Sequence, residues 1–219
     1  MTDFALARRN MIDGQLRPNR VTNALLLAAI GELPRERFLP EATRSVAYAD
    51  DDVPLGNGRY LMEPMVLARL IQTLQPRPED RAMVVASGTG YGAALLARLV
   101  HSVAAVESDP ALAAAAQRIA KELGITGIRQ AIGKLELGCA EPAPYDVILI
   151  EGAVQLVPQA IFDQLAEGGR LTTVIAGSPG ASGVAQLFMK EGGMASGRPL
   201  FDSGTPSLPG FAPPPRFTF

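Results

Sequence analysis

Along the second half of the chain, short apolar runs alternate with segments whose apolar residues recur at helical spacing. Ala82-Met83-Val84-Val85 reads as a buried strand, and Ala93, Leu95, Leu96 and Leu99 beyond it as one face of a helix. A second run, Val103-Ala104-Ala105-Val106, ends in Glu107. Asp109 and Pro110 then cap and open a helix over 111–123, which Gly124 closes. Strands are expected at 128–132, 145–150 and 170–176, with a helix at 158–166 between the last two. This alternation predicts an α/β fold with a mostly parallel sheet covered on both faces. After Gly177 it stops. Residues 183–190 and 198–201 read as an antiparallel strand pair, and the proline-rich end from Pro206 as extended chain packed through Phe211, Phe217 and Phe219.

The first eighty residues carry a different pattern. Residues 3–16 fit an amphipathic helix stopped by Pro18, and 23–31 a second helix capped by Thr22 or Asn23. Pro34 to Pro40 is a short turn anchored by Phe38 and Leu39. Residues 47–64 read as an ordered functional loop because Gly and Pro punctuate interleaved Tyr and Asp. Within it, Asp50-Asp51-Asp52 reads as a solvated turn rather than a metal site. Pro64 suits the first turn of a helix reaching Leu74. The expected organisation is an N-terminal helical extension with an active-site loop over 1–64, an α/β domain over 65–203, and a proline-rich segment over 204–219.

The candidate chemistry lies at Ala86-Ser87-Gly88-Thr89-Gly90-Tyr91-Gly92. Glycines after a strand let a ligand approach the backbone, and an acid about 20 residues further on, here Glu107, is placed to accept from ribose hydroxyls. Composition narrows the classes. The 219 residues carry a net charge of −2 with no basic run, which argues against a nucleic-acid grip. No apolar run approaches a membrane span, and the N-terminus lacks a signal-peptide pattern, so a cytoplasmic protein is expected. The one cysteine, Cys139, excludes an internal disulfide framework. His101 reads as a surface residue, and Met62, Met65 and Met83 as core fillers rather than metal ligands.

Several separate segments, in order, resemble the protein-L-isoaspartate O-methyltransferases. They are Met11-Ile12-Asp13-Gly14-Gln15-Leu16, Leu33-Pro34-Arg35-Glu36-Arg37-Phe38-Leu39-Pro40, Ala47-Tyr48 with Asp50, Gly88-Thr89-Gly90-Tyr91, Ala143-Pro144-Tyr145-Asp146, and Gln164-Leu165 with Gly168-Gly169-Arg170-Leu171. The resemblance implies a Rossmann-like S-adenosylmethionine-dependent methyltransferase fold. It also implies methyl transfer from S-adenosyl-L-methionine to the side-chain carboxylate of an isoaspartyl residue in a damaged protein or peptide. Carried onto this chain, the cofactor positions are Ala86, Ser87, Gly88, Thr89, Gly90, Tyr91, Glu107, Lys134 and Leu135. The acceptor positions are Asp50, Tyr60, Glu63, Pro64 and Glu151, with Met62 where the family has its active-site serine.

The departures are specific. Val84 stands where the family carries an acid, Ala86 where it carries a glycine, Gly133-Lys134-Leu135 where it carries an acid between glycines, and Glu151 where it carries threonine. Each lost hydrogen bond costs about 1–3 kcal/mol, so the resemblance implies weakened cofactor affinity. The new acids Glu63 and Glu151 fit either an acceptor bearing a cation or drift in a lineage relaxed from the original activity. Two competing readings also fit the sequence. The glycine turn also formally fits a nicotinamide dinucleotide fingerprint, and a catalytically impaired methyltransferase fold could serve as a binding or regulatory protein.

Overall fold

The computed structural model describes residues 3–178 and 181–211; the expected packing of Phe217 and Phe219 lies outside them. Seven strands form the main sheet in the order β5-β4-β3-β6-β7-β8-β9. These are β3 (Arg81–Val85), β4 (Ser102–Glu107), β5 (Ile128–Ile132), β6 (Tyr145–Val154), β7 (Leu165–Ile175), β8 (Gly183–Glu191) and β9 (Met194–Ser203). β3 to β7 run parallel, while β8 and β9 add antiparallel at one edge. The expected parallel sheet with its antiparallel C-terminal pair is therefore present.

Alternation along the central strands divides the core into two layers, as a sheet buried on both faces requires. Val84, Ala105, Val147 and Leu149 join one cluster with the N-terminal segments. Met83, Val85, Val106, Ile148 and Ile150 face the other, with Leu135, Tyr145, Leu208 and Phe211. Met11, Leu16, Leu26, Phe38 and Leu61 share one continuous buried cluster with Val84 and Leu149. Helix α3 (Pro64–Leu74) sits in that layer, burying Val66, Leu67, Leu70, Ile71 and Leu74. At about 1.5–3 kcal/mol per buried side chain, packing outweighs the marginal stability of an eleven-residue helix alone.

Several boundaries differ from expectation for physical reasons. Helix α1 (Phe4–Met11) passes into a wider π turn at Ile12–Leu16 instead of continuing as one helix. Asn23, not Thr22, caps α2 (Ala24–Glu32), its side chain accepting from the Leu26 N–H. The helix expected at 158–166 is only Gln159–Asp163 (α6). Tyr145 N–H donates to the Gln164 carbonyl, and Gln164 Nε2 donates to the carbonyls of Leu137 and Ala160, drawing Leu165 into the sheet.

The segment 47–64 is more than a loop. It contains a β-hairpin, β1 (Val53–Gly56) and β2 (Arg59–Leu61), joined by Asn57-Gly58 with φ of 50° and 69°. Two positive φ values are what a tight hairpin turn needs, and Asn-Gly supplies them at low cost.

Candidate functional site

The strand order reverses between β3 and β6, the connection from β3 first leading out through β4 and β5. A crevice at the carboxyl ends of such strands is where an open α/β sheet accommodates ligands. Here β3 delivers the glycine turn, β4 delivers Glu107, and β6 delivers Glu151. Strand β6 is bulged at this point: Leu149 pairs with Thr172 and Ala153 with Val174, so residues 150–152 face Thr173 alone. A bulge re-aims side chains. Glu151 is turned so far inward that a Cβ on Gly92 would lie 2.2 Å from its Oε1.

The turn itself is tightly held. Ser87 N–H donates to the Val106 carbonyl at 3.0 Å, and Thr89 Oγ1 to the Phe38 carbonyl at 2.6 Å. Gly88 and Gly90 take φ of 55° and 93°, and Ala86 takes 65°. For alanine that conformation costs about 1 kcal/mol, which the surrounding bonds must offset. Helix α4 (Tyr91–Leu96) follows, and α5 (Pro110–Glu122) starts beyond Glu107.

Glu107 is wholly buried, and its oxygens are already engaged. Oε2 accepts from Gly88 N–H at 2.7 Å. Oε1 accepts from Ser108 and Asp109 N–H at 2.8 and 3.0 Å, and from Arg59 Nη1 at 2.6 Å. The same guanidinium donates through Nη2 to the Ala86 carbonyl at 2.6 Å. Arg59, 2% exposed, thus stands on the acid that the sequence assigns to ribose. A carboxylate offers about four acceptor positions. Oε1 is therefore fully engaged, while Oε2 carries only the Gly88 N–H and keeps one acceptor position for a ribose hydroxyl, so the residues framing the crevice fit an adenosyl group on that oxygen.

Other expected positions divide. Met62, Tyr60 and Glu151 meet in one narrow cleft with Asp52, Gly58, Gly152 and Leu208. Pro64 is buried as the first residue of α3, and Asp52 Oδ1 accepts from Glu63 N–H at 2.9 Å, so this aspartate is a structural member of the segment rather than part of a solvated turn. Asp50 is exposed beside Glu63. Lys134 is exposed, whereas Leu135 is buried among the second core layer. Tyr91 is buried away from solvent, edge-on to Phe38 with ring centroids 5.2 Å apart. His101 is exposed, as expected. A cavity of about 100 Å³ behind the glycine turn, lined by Gly90, Phe38, Ala93, Ala116 and Gln130 among others, carries no ionisable group. No cluster able to hold a metal ion occurs among the described residues, and no helix there is long and apolar enough to cross a membrane.

Two arginines escaped the sequence reading. Arg59 carries a local signal, since Asn57-Gly58 implies a hairpin whose residues alternate, and Arg59 points inward with Leu61 while Tyr60 points out. Arg35 carries none; it is fully buried, donating to the carbonyls of Ala47 and Met62 at 2.7 and 2.6 Å, with its guanidinium 5.1 Å from the Tyr91 ring.

The electrostatics follow from burial. Burial pushes the Glu151 carboxyl up to about 8, despite attraction from Arg59 and Arg35, with Glu107 adding to the rise. Burial pushes Glu63 up to about 7, helped by Asp50 and Asp52. Both groups bind a proton more tightly folded than unfolded, so folding stability rises as pH falls from above 8 towards 5, and the penalty is complete above 8. The expected result is a higher melting temperature at pH 5.5 than at pH 8.5, with Glu151→Gln flattening that difference mainly by raising the value at pH 8.5. Thermal melts across this range check it, and an unchanged slope in Glu151→Gln would refute the assignment.

Comparison with known proteins accords with this geometry. The family profile described as protein-L-isoaspartate(D-aspartate) O-methyltransferase matches residues 7–200. A protein-L-isoaspartate O-methyltransferase of Koribacter versatilis is 41% identical over 179 residues, 82% of this chain and 80% of that protein. One from Methylorubrum populi is 39% identical over 187 residues, 85% of this chain and 86% of that protein. Among solved structures, a protein-L-isoaspartate O-methyltransferase superposes with a TM-score of 0.82 at 26% identity, over 93% of this chain and 67% of its own. A beta-aspartate methyltransferase of Plasmodium falciparum, solved with S-adenosyl-L-homocysteine, gives 0.76 at 20% identity over 96% of this chain and all of its own, which supports the fold. The segments shared in order, the parallel sheet and the acid beside the glycine turn lead to one conclusion: this chain belongs to the protein-L-isoaspartate O-methyltransferase family.

Proposed function

We propose that this protein is an S-adenosyl-L-methionine-dependent carboxyl O-methyltransferase acting on isoaspartyl residues of damaged proteins in the cytoplasm. The observation that carries the reading is the placement of Glu107 against Gly88 N–H at the switch point, within a chain matched by the family over 7–200. Glu107 and the turn at Ala86, Ser87, Gly88, Thr89 and Gly90 form the cofactor side. The cleft of Tyr60, Met62 and Glu151 forms the acceptor side, with Glu63 and Asp50 on the segment that supplies Met62 and Asp52.

The cofactor supplies a methyl group on a cationic sulfur, and an isoaspartyl carboxylate is already ionised at neutral pH. The protein is therefore asked to align the reactants and exclude water, not to supply a base. Buried Met62 and Leu208 give the cleft apolar walls. Glu63, with its carboxyl near 7, carries only part of a negative charge at neutral pH, which lessens its repulsion of an incoming carboxylate.

Calorimetric titration with S-adenosylhomocysteine, with NAD as control, tests the cofactor half. Saturable S-adenosylhomocysteine binding without NAD binding is expected. Binding of NAD alone would restore the dinucleotide reading and overturn this one.

A further inference from the structure

We infer that Arg59 sets the cofactor affinity of this chain by competing, from within the molecule, for the acid that would hold the ribose. The inference rests on the methyltransferase reading above and goes beyond it. The hairpin lies over the glycine turn and is fastened at three places. Leu55 Cδ1 lies 3.0 Å from the point where a Cβ on Gly88 would stand. Asn57 Nδ2 donates to Asp109 Oδ2 at 2.7 Å. Between them, Arg59 bridges Glu107 and the Ala86 carbonyl, both at 2.6 Å.

Of the donors on Glu107, three are backbone N–H groups of the site itself: Gly88, Ser108 and Asp109. They stay with the carboxylate whatever binds. Only Arg59 arrives from a separate element, the β1–β2 hairpin, so it is the one donor whose exchange for a ligand requires that element to be raised. At Oε1, which also accepts from Ser108 and Asp109, the guanidinium and a ribose hydroxyl are therefore alternative occupants, whereas Oε2 carries only the Gly88 N–H. Apparent ligand affinity is the intrinsic affinity multiplied by the fraction of molecules whose hairpin is raised.

The same hairpin walls the acceptor cleft through Gly58 and Tyr60. Raising it for the cofactor also moves that wall, so cofactor binding and acceptor access are coupled through one element. The coupling is reciprocal, as linkage demands.

Two variants separate the contributions. Arg59→Gln removes the charge and leaves Glu107 its three N–H partners. Asn57→Gly keeps a residue that tolerates the turn's positive φ and removes the fastening to Asp109. Titrating S-adenosylhomocysteine into full-length wild type and both variants should give at least about tenfold tighter binding for Arg59→Gln and about threefold for Asn57→Gly. Circular dichroism melts establish that each variant is folded; if Arg59→Gln is not, Asn57→Gly decides alone. Measurable wild-type binding with folded variants that bind no tighter would overturn the role of Arg59 and leave the methyltransferase reading standing. No binding by wild type or folded variants at millimolar ligand would overturn both.

Discussion

Glu107→Ala is expected to lower the unfolding free energy by about 3–5 kcal/mol, the cost of leaving one member of a buried ion pair without its partner. Arg59 and Glu107 are 2% and 0% exposed at their side chains, so water cannot take the missing place. The loss also strands the N–H groups of Gly88, Ser108 and Asp109, which all donate to this carboxylate. A double-mutant cycle with Arg59→Met isolates the pair itself. Coupling on the order of 2 kcal/mol in urea denaturation is expected for two groups in direct contact. Coupling near zero would mean that Arg59 does not sit on Glu107 in solution.

Arg35→Ala should be about as damaging, at about 4 kcal/mol, by a different route. Arg35 ties the turn after α2 to Ala47 and to Met62, two backbone carbonyls with no solvent to fall back on. Its guanidinium also packs on the Tyr91 ring, so truncation opens a cavity at the start of α4. Burial lowers the pKa of Arg35, yet Tyr91, Tyr48, Glu151 and Asp52 all favour its charge. Arg35→Lys should recover little, because an ammonium cannot span both carbonyls as a planar fork does. The check is the urea midpoint at unchanged slope; a midpoint within experimental error of wild type in Arg35→Ala would contradict this role. Because Met62 lines the cleft with Tyr60 and Glu151, the same variant loosens that cleft's wall.

What could be read in the chain, and what could not, follows from how far apart the deciding contacts lie. Helix α3 was legible to the residue, since Pro64 marks its first turn and its apolar spacing is unbroken. The strands ending at Val85 and Glu107 were legible for the same local reason. Glycines and an acid at the ends of two strands announced the crevice, because spacing along a βαβ unit fixes their separation. In the hairpin only Asn57-Gly58 is a local signal, because strands of four and three residues are too short for their alternation to stand out by itself from turn residues. Arg59 was missed because a charged residue in such a segment is ordinarily solvated; its burial is decided by Glu107, 48 positions away. Arg35 reads the same way, its partners being 12 and 27 positions on. The early end of α6 depends on Gln164 reaching Leu137, another pairing no local window contains.

These long-range contacts also bear on the departures from the family pattern. Val84 is a wholly buried core residue in the layer shared with the N-terminal segments. Glu151 fills the space that Gly92 leaves open. Together with Arg59 they show a crevice filled by the chain itself, in which Glu151 Oε1, Ser87 Oγ and Arg59 Nε are buried without a hydrogen-bond partner.

Transfer of a methyl group to an isoaspartyl carboxylate is measured directly with S-adenosylmethionine carrying a tritiated methyl group. The purified protein is incubated with an isoaspartyl peptide and, separately, with its aspartyl twin of the same sequence. Base-labile label, released as methanol, is expected on the isoaspartyl peptide alone and above the rate without protein. Absence of label on that peptide, or equal label on both, would contradict that transfer.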